Sequence, residues 1–519
     1  MGFEYSKSVL SESRRQSAYS SMTSNTPETA LDLLIIGGGV VGLGSALDAS
    51  SRGLTVGLIE KNDFASGTSS KSSRLAHGGL RYLEHLEFGL VHEALRERGL
   101  LLDTIAPHLT HSVEFVLPTT SLVRNIYNRL GVEIYYLLSR IGAYGKKLPR
   151  PGSLSRKSFA TQFKALDQTK FHRGVTYFDA QIDDARHTIA LARTASGYGA
   201  DVVNYAEFLS YQKHEASGSF QVTVRSDNCE SQIFAQTLLF ATGPWTNDVL
   251  PREGDAITPS KGAHIVVPKS AIDLSSALIS RTNKSVLFIL PWENEWIIGT
   301  TDNPYLETPD SLVVTENEIL SILQEANLVL AKKLIRSDVV ASYIGIRPLA
   351  APKRIVDTAK ASREHLIDQV EPRVFSVIGG KYTTYRVMAK DAIDQVSLIF
   401  SNKVSKCLTQ NIALVGARDD DSPRNDKSNQ QLVNHYGDEV AVIEKLIAAS
   451  PENGELLDSK LANSIAEVKF AISHQGARTP DDVISRRLRI NTIDAELAVS
   501  VEAKIVKVFQ TLDVESKAN

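Results

Sequence analysis

The chain has 519 residues, 42% of them hydrophobic and 23% charged, as expected for an ordinary globular protein with more than one domain. Its formal net charge of −3 gives no indication of nucleic-acid binding, and we expect none. Two distant cysteines, Cys229 and Cys407, exclude a disulfide framework and a thiolate zinc site, and they fit a reducing compartment.

The first 30 residues are rich in serine and carry no periodic apolar pattern, so we predict a disordered tail over residues 1–30. A true start at Met22 is the alternative. Arg14-Arg15 lacks the apolar core of an export signal, and three glutamates argue against a mitochondrial presequence. No apolar run reaches the length of a transmembrane helix.

A dinucleotide-binding fingerprint follows. The sequence predicts a strand over 31–36, a glycine turn at 37–39, a helix over 41–52 and a second strand over 54–59. Gly37 makes the tight turn, Gly39 admits a pyrophosphate to the backbone amides, and Gly42 lets the helix pack closely on the strand. We expect Glu60, after the second strand, to bind the ribose hydroxyls of adenosine.

Two later strand ends favour FAD over NAD. The predicted strand at 237–241 runs into an A-T-G turn at 241–243, and that at 374–378 runs into Gly379-Gly380-Lys381. A helix from Tyr382 onward would place its positive end near the cofactor. Three glycine turns spread along the chain indicate one long cofactor, bound across a discontinuous domain.

Residues 68–84, TSSKSSRLAHGGLRYLE, begin eight residues after Glu60. Small hydroxyls, cations and a glycine pair at this place suit the meeting point of a cofactor ring and an anionic substrate. Further segments share the order of one family of flavoproteins: DDARHTIALA (183–192), ATGPW (241–245), KGAHIVVP (261–268), FILPWENEWIIGTTD (288–302), GIRPL (345–349) and GGKYTTYR (379–386).

From these segments, which span 31–391, the chain resembles the FAD-dependent glycerol-3-phosphate dehydrogenase family of the aerobic, quinone-linked type. TPDDVISRRLRI (479–490) is similar to its C-terminal cap. The resemblance implies an α/β fold with a discontinuous Rossmann-like FAD-binding domain, an antiparallel-sheet substrate domain and a helical cap. It also implies oxidation of sn-glycerol 3-phosphate to dihydroxyacetone phosphate, with hydride transfer from C2 to flavin N5.

The same resemblance implies the substrate site. Its predicted catalytic residues are His264, Arg347 and Lys381, with either His264 or Lys381 as the base. Arginine forks suit a phosphate dianion, and Arg347 is the main candidate. Further substrate contacts are predicted at Arg81, Tyr82, Arg363 and Thr384.

The cofactor-binding residues that we predict lie in the fingerprint, the 68–84 segment and the later glycine turns. They are Gly37, Gly39, Gly42, Glu60, Thr68, Ser69, Ser70, Ser73, His77, Gly78, Gly79, Gly243, Trp245 and Gly380. His77 either contacts the cofactor or braces the HGG turn. We predict no metal site.

The segment 122–157 carries eight Lys or Arg and one acid, interleaved with apolar and aromatic residues at helical spacing. Such a pattern suits either a membrane-interface segment, placed at about 121–160, or an ordinary amphipathic helix on the core. The family resemblance favours a cytoplasmic protein attached peripherally to the inner face of the cytoplasmic membrane, with quinone as electron acceptor. A homodimer is left open.

The predicted domains are a tail, an interleaved FAD-binding and substrate region over 31–410, and a helical domain over 411–519. The FAD parts are about 31–120, 170–245 and 340–400, and the substrate part is about 246–340. Three alternatives remain: a glycerol-3-phosphate oxidase that uses oxygen, an amine or amino-acid oxidase of the same fold, and an assembly subunit without turnover.

Overall fold

The computed structural model describes residues 2–85, 87–141, 148–250, 257–281, 286–350, 365–400, 404–417 and 430–518. The strands there are β1 Leu33–Ile36, β2 Val56–Ile59, β3 Leu75–Ala76, β4 Thr110–Thr119, β5 Gly152–Leu154, β6 Arg173–Ile182, β7 Asp201–Val203, β8 Ala206–Lys213, β9 Phe220–Ser226, β10 Cys229–Ala235, β11 Leu238–Phe240, β12 Ile257–Pro268, β13 Ala277–Arg281, β14 Val286–Trp292, β15 Glu295–Gly299, β16 Asn303–Pro304, β17 Ala341–Ala350, β18 His365–Glu371 and β19 Val374–Gly379.

The α-helices of the same residues are α1 Glu12–Thr23, α2 Val40–Ser51, α3 Phe88–Leu100, α4 Leu122–Arg140, α5 Arg156–Gln162, α6 Asp184–Gly197, α7 Thr246–Val249, α8 Glu316–Asn327, α9 Tyr385–Ser397, α10 Gln430–Tyr436, α11 Val440–Ala449, α12 Ile465–His474, α13 Pro480–Asp482 and α14 Ala495–Ala518.

One sheet carries the dinucleotide fingerprint, with strand order β18-β19-β11-β1-β2-β7. Its strands pair in parallel, except that β18 is antiparallel to β19. Parallel strands covered on both faces are apolar throughout, and all four residues of β1 and of β2 are buried. The carboxyl ends of β1, β11 and β19 therefore meet at one edge, where such folds bind ligands.

A second, ten-stranded sheet has the order β16-β12-β15-β14-β13-β4-β6-β3, with β17 paired to β12 and β5 to β6. Its pairs are antiparallel apart from β13 with β4. The predicted fold class is confirmed. The predicted domain boundaries need correction, because β3, β4, β6 and β17 lie in this sheet although their residues were placed in the FAD parts. Strand patterns predict the strands but not which sheet each one joins.

The prediction of a disordered tail over residues 1–30 is wrong. Helix α1 packs into the protein, where Ala18 and Met22 are buried, and Leu10 pairs with the C-terminal helices at Gln475. The buried Arg15 guanidinium donates to Asn204 O at 2.9 Å and to Ser226 Oγ at 2.7 Å. A few apolar contacts and this buried arginine hold the segment, although its serines lower its mean hydropathy. Met22, fully buried here, is part of the fold.

The C-terminal domain consists of helices α10 to α14 with its own apolar core around Val468, Val483 and Ile505. It is joined to the first sheet by a buried cluster in which Arg486 Nε lies 2.5 Å from Asp63 Oδ2, and Arg487 also bonds Asp63. This agrees with the predicted helical cap. Among the described residues, no helix is both long enough and apolar enough to span a membrane.

Candidate active site

A cavity of about 760 Å³ opens between the two sheets. Its walls come from the glycine turn after β1, the carboxyl ends of β11 and β19, and the facing strands β12 and β17. Most of the predicted cofactor residues line it: Gly37, Gly39, Glu60, Thr68, Ser69, Ser73, His77, Gly79, Gly243, Trp245 and Gly380. The predicted substrate-site residues on its wall are Tyr82, His264, Arg347 and Lys381.

The glycine turn can hold a diphosphate only because it lacks side chains. Gly37 has a φ of 113°, and a Cβ there would lie 2.5 Å from Ala241 O. A Cβ on Gly42 would lie 2.0 Å from Gly37 O, so this glycine lets α2 approach the turn, as predicted, although it does not line the cavity. The turn, the helix N-terminus and the volume of the cavity fit a dinucleotide.

Glu60 lines the cavity at the same end as the glycine turn. Its carboxylate accepts a hydrogen bond from Gly38 N at 2.6 Å and from Asn62 N at 2.8 Å. Burial raises the pKa of Glu60, and these two backbone donors oppose that rise. The residue therefore also holds the glycine turn, beyond the ribose contact that its position predicts.

The 68–84 segment divides into wall residues and supports. Ser69 Oγ accepts from Val40 N at 2.9 Å at the start of α2, which leaves its own proton for a ligand, and Thr68 Oγ1 donates to Ile346 O at 2.7 Å. Ser70 and Gly78, also predicted to bind the cofactor, do not line the cavity. Gly78 N instead bonds Tyr135 OH at 2.7 Å.

His264 is 3% exposed on β12, and its ring stacks on Tyr343 with a centroid distance of 4.8 Å. Its Nε2 lies 2.8 Å from Ser73 Oγ, so the structure places Ser73 on the predicted base. Burial, and then the positive charges of Arg347 and Arg74, lower the pKa of His264 to about 3. The imidazole is neutral at physiological pH, the form that a base requires.

Arg347 lies on β17 on the same face as His264, because the β12–β17 register pairs Ser260 with Arg347 and His264 with Tyr343. Its guanidinium donates to Thr300 Oγ1 at 3.0 Å and to Thr301 O at 3.3 Å. A Cβ on Gly262 would lie 2.4 Å from Arg347 Nη2, so this glycine makes room for the guanidinium.

Lys381 follows the glycine pair after β19, and its Nζ lies 3.7 Å from the centroid of the Tyr82 ring. Tyr82 is in turn fixed beside Gly79, where a Cβ would lie 2.2 Å from Tyr82 Cδ2. The cation and the phenol ring form one side of the cavity.

Other predicted residues are placed differently. Thr384 does not line the cavity, and the neighbouring Thr383 does; its Oγ1 accepts from His77 N at 3.1 Å. Which threonine faces inward is decided by the 3₁₀ turn Tyr382–Thr384. His77 both lines the cavity and is braced by this contact. Arg363 lies outside the described residues, as does the side chain of Arg81.

Buried histidines predict weaker folding in acid, among them His187 and His264. Burial lowers the pKa of His187 and of His264 to about 3, whereas an unfolded histidine titrates near 6.5. Their contribution to stability is complete above about pH 6.5 and is lost as the pH falls toward 3, since the unfolded chain then binds more protons. Each lowers the free energy of unfolding by about 1.4 kcal/mol per pH unit in that window.

Urea unfolding of the FAD-loaded protein at pH 7 and pH 5 measures this effect, and we expect the lower midpoint at pH 5. His187→Gln should reduce the loss between the two values, whereas His214→Gln, in the turn after β8, should not. Equal losses in wild type and His187→Gln would contradict the assignment.

Residues 32–385 match the family described as FAD dependent oxidoreductase, and residues 407–513 match the C-terminal domain of alpha-glycerophosphate oxidase. A glycerol-3-phosphate dehydrogenase of Mycobacterium leprae is 38% identical over 479 residues, which cover 89% of this chain and 81% of that protein. The chain belongs to the FAD-dependent glycerol-3-phosphate dehydrogenase family. The family assignment identifies FAD as the dinucleotide that the cavity fits.

Two solved structures resemble this member of the glycerol-3-phosphate dehydrogenase family. The glycerol-3-phosphate dehydrogenase of Bacillus halodurans, complexed with FAD, is 25% identical, with a TM-score of 0.75 and coverage of 98% of this chain and 97% of its own. The L-alpha-glycerophosphate oxidase of Mycoplasma pneumoniae, with FAD bound, is 17% identical, with a TM-score of 0.58 and coverage of 74% and 99%. The second likeness shows the fold alone.

Sequence reasoning missed residues whose role depends on distant contacts. Asp184 binds the 68–84 segment through Ser72, Lys71 lines the cavity, and Gly262 makes room for Arg347. Burial and the nearby Arg489 and Arg486 lower the pKa of Lys71 to about 8. The segments that resemble the family include Asp184, Lys71 and Gly262, and this membership could have drawn attention to them. No local pattern distinguishes the three from their neighbours.

Proposed function

We propose that this protein oxidises sn-glycerol 3-phosphate to dihydroxyacetone phosphate. The observation that carries the proposal is the arrangement of Arg347 and His264 on one face of the β12–β17 pair, at the wall of the cavity that also contains the dinucleotide turn. A phosphate clamp and a neutral base beside a dinucleotide site match a phosphorylated alcohol.

Arg347 binds the phosphate in this proposal. Its guanidinium is always charged and offers a planar fork of donors, which suits the oxygens of a phosphate dianion. Contacts with Thr300 and Thr301, together with the space at Gly262, hold the fork in one orientation. A held fork loses little conformational entropy when the phosphate binds.

His264 removes the proton of the C2 hydroxyl. Its Nε2 lies 2.8 Å from Ser73 Oγ, and this contact holds the neutral ring, which has one donor and one acceptor nitrogen, in place. A phosphate dianion beside Arg347 offsets the positive charge that lowers the pKa of His264, so substrate binding makes the ring a stronger base.

Lys381 supports the same step. Held against the Tyr82 ring, its ammonium places a positive charge where the alkoxide develops. Bound FAD supplies the acceptor for the hydride that leaves C2. His264, neutral through burial, is the base that we favour over Lys381.

Anaerobic mixing of the purified, FAD-loaded protein with sn-glycerol 3-phosphate tests this function. We expect the visible flavin absorbance to bleach, and glycerol at the same concentration to bleach it far more slowly. Bleaching by amino acids or amines, with none by glycerol 3-phosphate, would overturn the proposal in favour of an amine or amino-acid oxidase.

We further propose that the electrons pass to a membrane quinone and that α4 attaches the protein peripherally to the membrane. Leu122, Ile126, Leu130, Ile134 and Leu137 follow each other at helical spacing, and each is between 46% and 61% exposed. The opposite face of α4 packs on the protein through Val132 and Tyr135.

Basic residues accompany this apolar stripe. Arg124 and Arg140 lie over the rings of Tyr127 and Tyr136 on the same helix. A helix with an apolar face, aromatic rings and arginines suits the interface of an anionic lipid surface. Glycerol 3-phosphate is water-soluble and quinone is membrane-bound, so a protein that transfers electrons between them works at that interface.

The triple variant Ile126→Ser, Leu130→Ser, Leu137→Ser should bind phosphatidylglycerol vesicles at least about 100-fold more weakly, because each buried side chain contributes about 1.5–3 kcal/mol. Sedimentation with vesicles measures this. The matched control, Leu306→Ser with Leu398→Ser, changes residues that are 72% and 76% exposed elsewhere and should bind as wild type does. Equal binding by the triple variant would contradict the assignment.

The acceptor is tested separately. After anaerobic bleaching, a soluble quinone should restore the flavin absorbance much faster than oxygen does. Faster restoration by oxygen would indicate an oxidase.

A further inference from the structure

One buried arginine of the C-terminal domain contacts a wall segment of the active site. Arg489 is 1% exposed, and its backbone adopts a φ of 65°, in the left-handed region that a non-glycine residue rarely occupies. Its Nη1 donates to Ser70 O at 3.1 Å, and its Nη2 donates to Asp184 Oδ1 at 2.8 Å. The guanidinium therefore joins α6 to the 68–84 segment.

Asp184 also binds the next residues of the 68–84 segment. Its second oxygen, Oδ2, accepts from Ser72 N at 3.0 Å and from Ser72 Oγ at 2.6 Å. Asp184 is fully buried, and Oδ1 also accepts from Ala185 N at 2.9 Å. A buried carboxylate that accepts this many hydrogen bonds fixes the backbone at Ser72.

Both groups that fix the His264 ring depend on that backbone. Ser73 Oγ lies 2.8 Å from His264 Nε2. The OH of Tyr343, whose ring stacks on His264, donates to Ser72 O at 3.1 Å. A shift of the Ser72–Ser73 peptide thus moves the hydrogen bond to the imidazole and loosens the ring stacked on it.

None of the described residues after Met388 lines the cavity. The C-terminal domain nevertheless contains Arg489, the first member of the series Arg489, Asp184, Ser72, Ser73 and His264. We infer that Arg489 is a positioning residue for the oxidation, which sets the orientation of His264 through this series. The inference rests on the proposed function, because it assigns His264 as the base.

Removing the guanidinium should affect the proton-transfer step more than phosphate binding. Arg489→Gln leaves the buried Asp184 carboxylate without its cation, which weakens its hold on Ser72. The guanidinium of Arg347, on β17, donates to Thr300 Oγ1 and to Thr301 O. We expect kcat to fall by about 10- to 100-fold with KM changed by less than about threefold, and Arg489→Lys to recover part of the loss.

A double-variant cycle with Ser73→Ala tests the route. If Arg489 acts through Ser73, then Arg489→Gln should slow flavin bleaching by no more than about twofold in the Ser73→Ala background. FAD content per chain and the midpoint of thermal unfolding, measured alongside, separate lost positioning from lost cofactor. Should Arg489→Gln fold poorly, Ser72→Ala removes the next contact of the series and should also slow bleaching.

Arg487→Gln is the matched control. Arg487 is as buried as Arg489 and lies in the same domain, but it bonds Asp63 and Gln475 O. Its variant should lose stability and keep kcat. Independent, multiplicative losses in the cycle, or a kcat of Arg489→Gln equal to wild type, would overturn the inference while the proposed function stands. No bleaching of the wild type by glycerol 3-phosphate would overturn both.

Discussion

Arg347→Gln should lower kcat/KM for sn-glycerol 3-phosphate by about 10²- to 10³-fold, because the phosphate loses a held, permanently charged fork in a partly dehydrated cavity. The Arg347 side chain is 25% exposed at the cavity wall, so the loss is smaller than for a fully buried pair. Most of it should appear in KM, since the phosphate remains bound throughout the reaction. Steady-state kinetics with a soluble electron acceptor measure both constants.

Glycerol separates phosphate binding from structural support. It lacks the phosphate, so Arg347→Gln should not lower kcat/KM for glycerol, and removing the charge that lowers the pKa of His264 can only favour the base. Arg336→Gln removes an exposed guanidinium that is paired with Glu316. This variant should change kcat/KM for neither substrate. An equal loss for glycerol and glycerol 3-phosphate in Arg347→Gln would mean that Arg347 supports the sheet and not the phosphate.

His264→Asn should lower kcat by about 10²- to 10⁴-fold, the range that a positioned general base contributes, with little change in KM. Asparagine retains a polar side chain near Ser73 but cannot accept a proton at physiological pH. Rapid-mixing measurement of flavin bleaching isolates the step. Normal FAD content and slow bleaching are expected; bleaching at the wild-type rate would move the role of base to Lys381.

The pH profile of the wild type gives an independent test of His264. With its pKa lowered to about 3, the free enzyme keeps the imidazole neutral, so protonation of His264 should not lower kcat/KM between pH 8 and about pH 4. The phosphate of the substrate titrates near pH 6, and the change in kcat/KM that this titration causes should be the same in His264→Asn. A fall in kcat/KM near pH 6.5 that is present in the wild type and absent in His264→Asn would contradict the lowered pKa.

Local sequence signals predicted the cofactor half of the protein well. The fingerprint strand, turn, helix and acid are contiguous, so their geometry follows from short-range backbone rules. The structure begins β1 and α2 within two residues of the predicted positions. The tail was mispredicted because the surfaces that bury Met22 and Leu10 come from β2 and from the C-terminal domain.

The prediction of the substrate site depended on the family resemblance. No pattern in the chain indicates that β12 pairs with β17 in the register that puts His264 and Arg347 on one face. Thr383 and Thr384 are equivalent in sequence, and a turn of backbone selects the first for the cavity wall. The role of Asp184 arises from contacts with residues more than 100 positions away on either side.

The central position of β11 has a consequence for synthesis of the protein. This strand pairs with β1, about 200 residues earlier, and with β19, more than 130 residues later. A nascent chain that has emerged only as far as β11 leaves one edge of that strand open, and its three residues are apolar and buried in the finished fold. The parallel sheet is completed only when residue 379 has left the ribosome. The dinucleotide turn, although encoded near the start of the chain, therefore acquires its opposite wall late in translation, and an unpaired apolar edge of this kind is prone to aggregation until then.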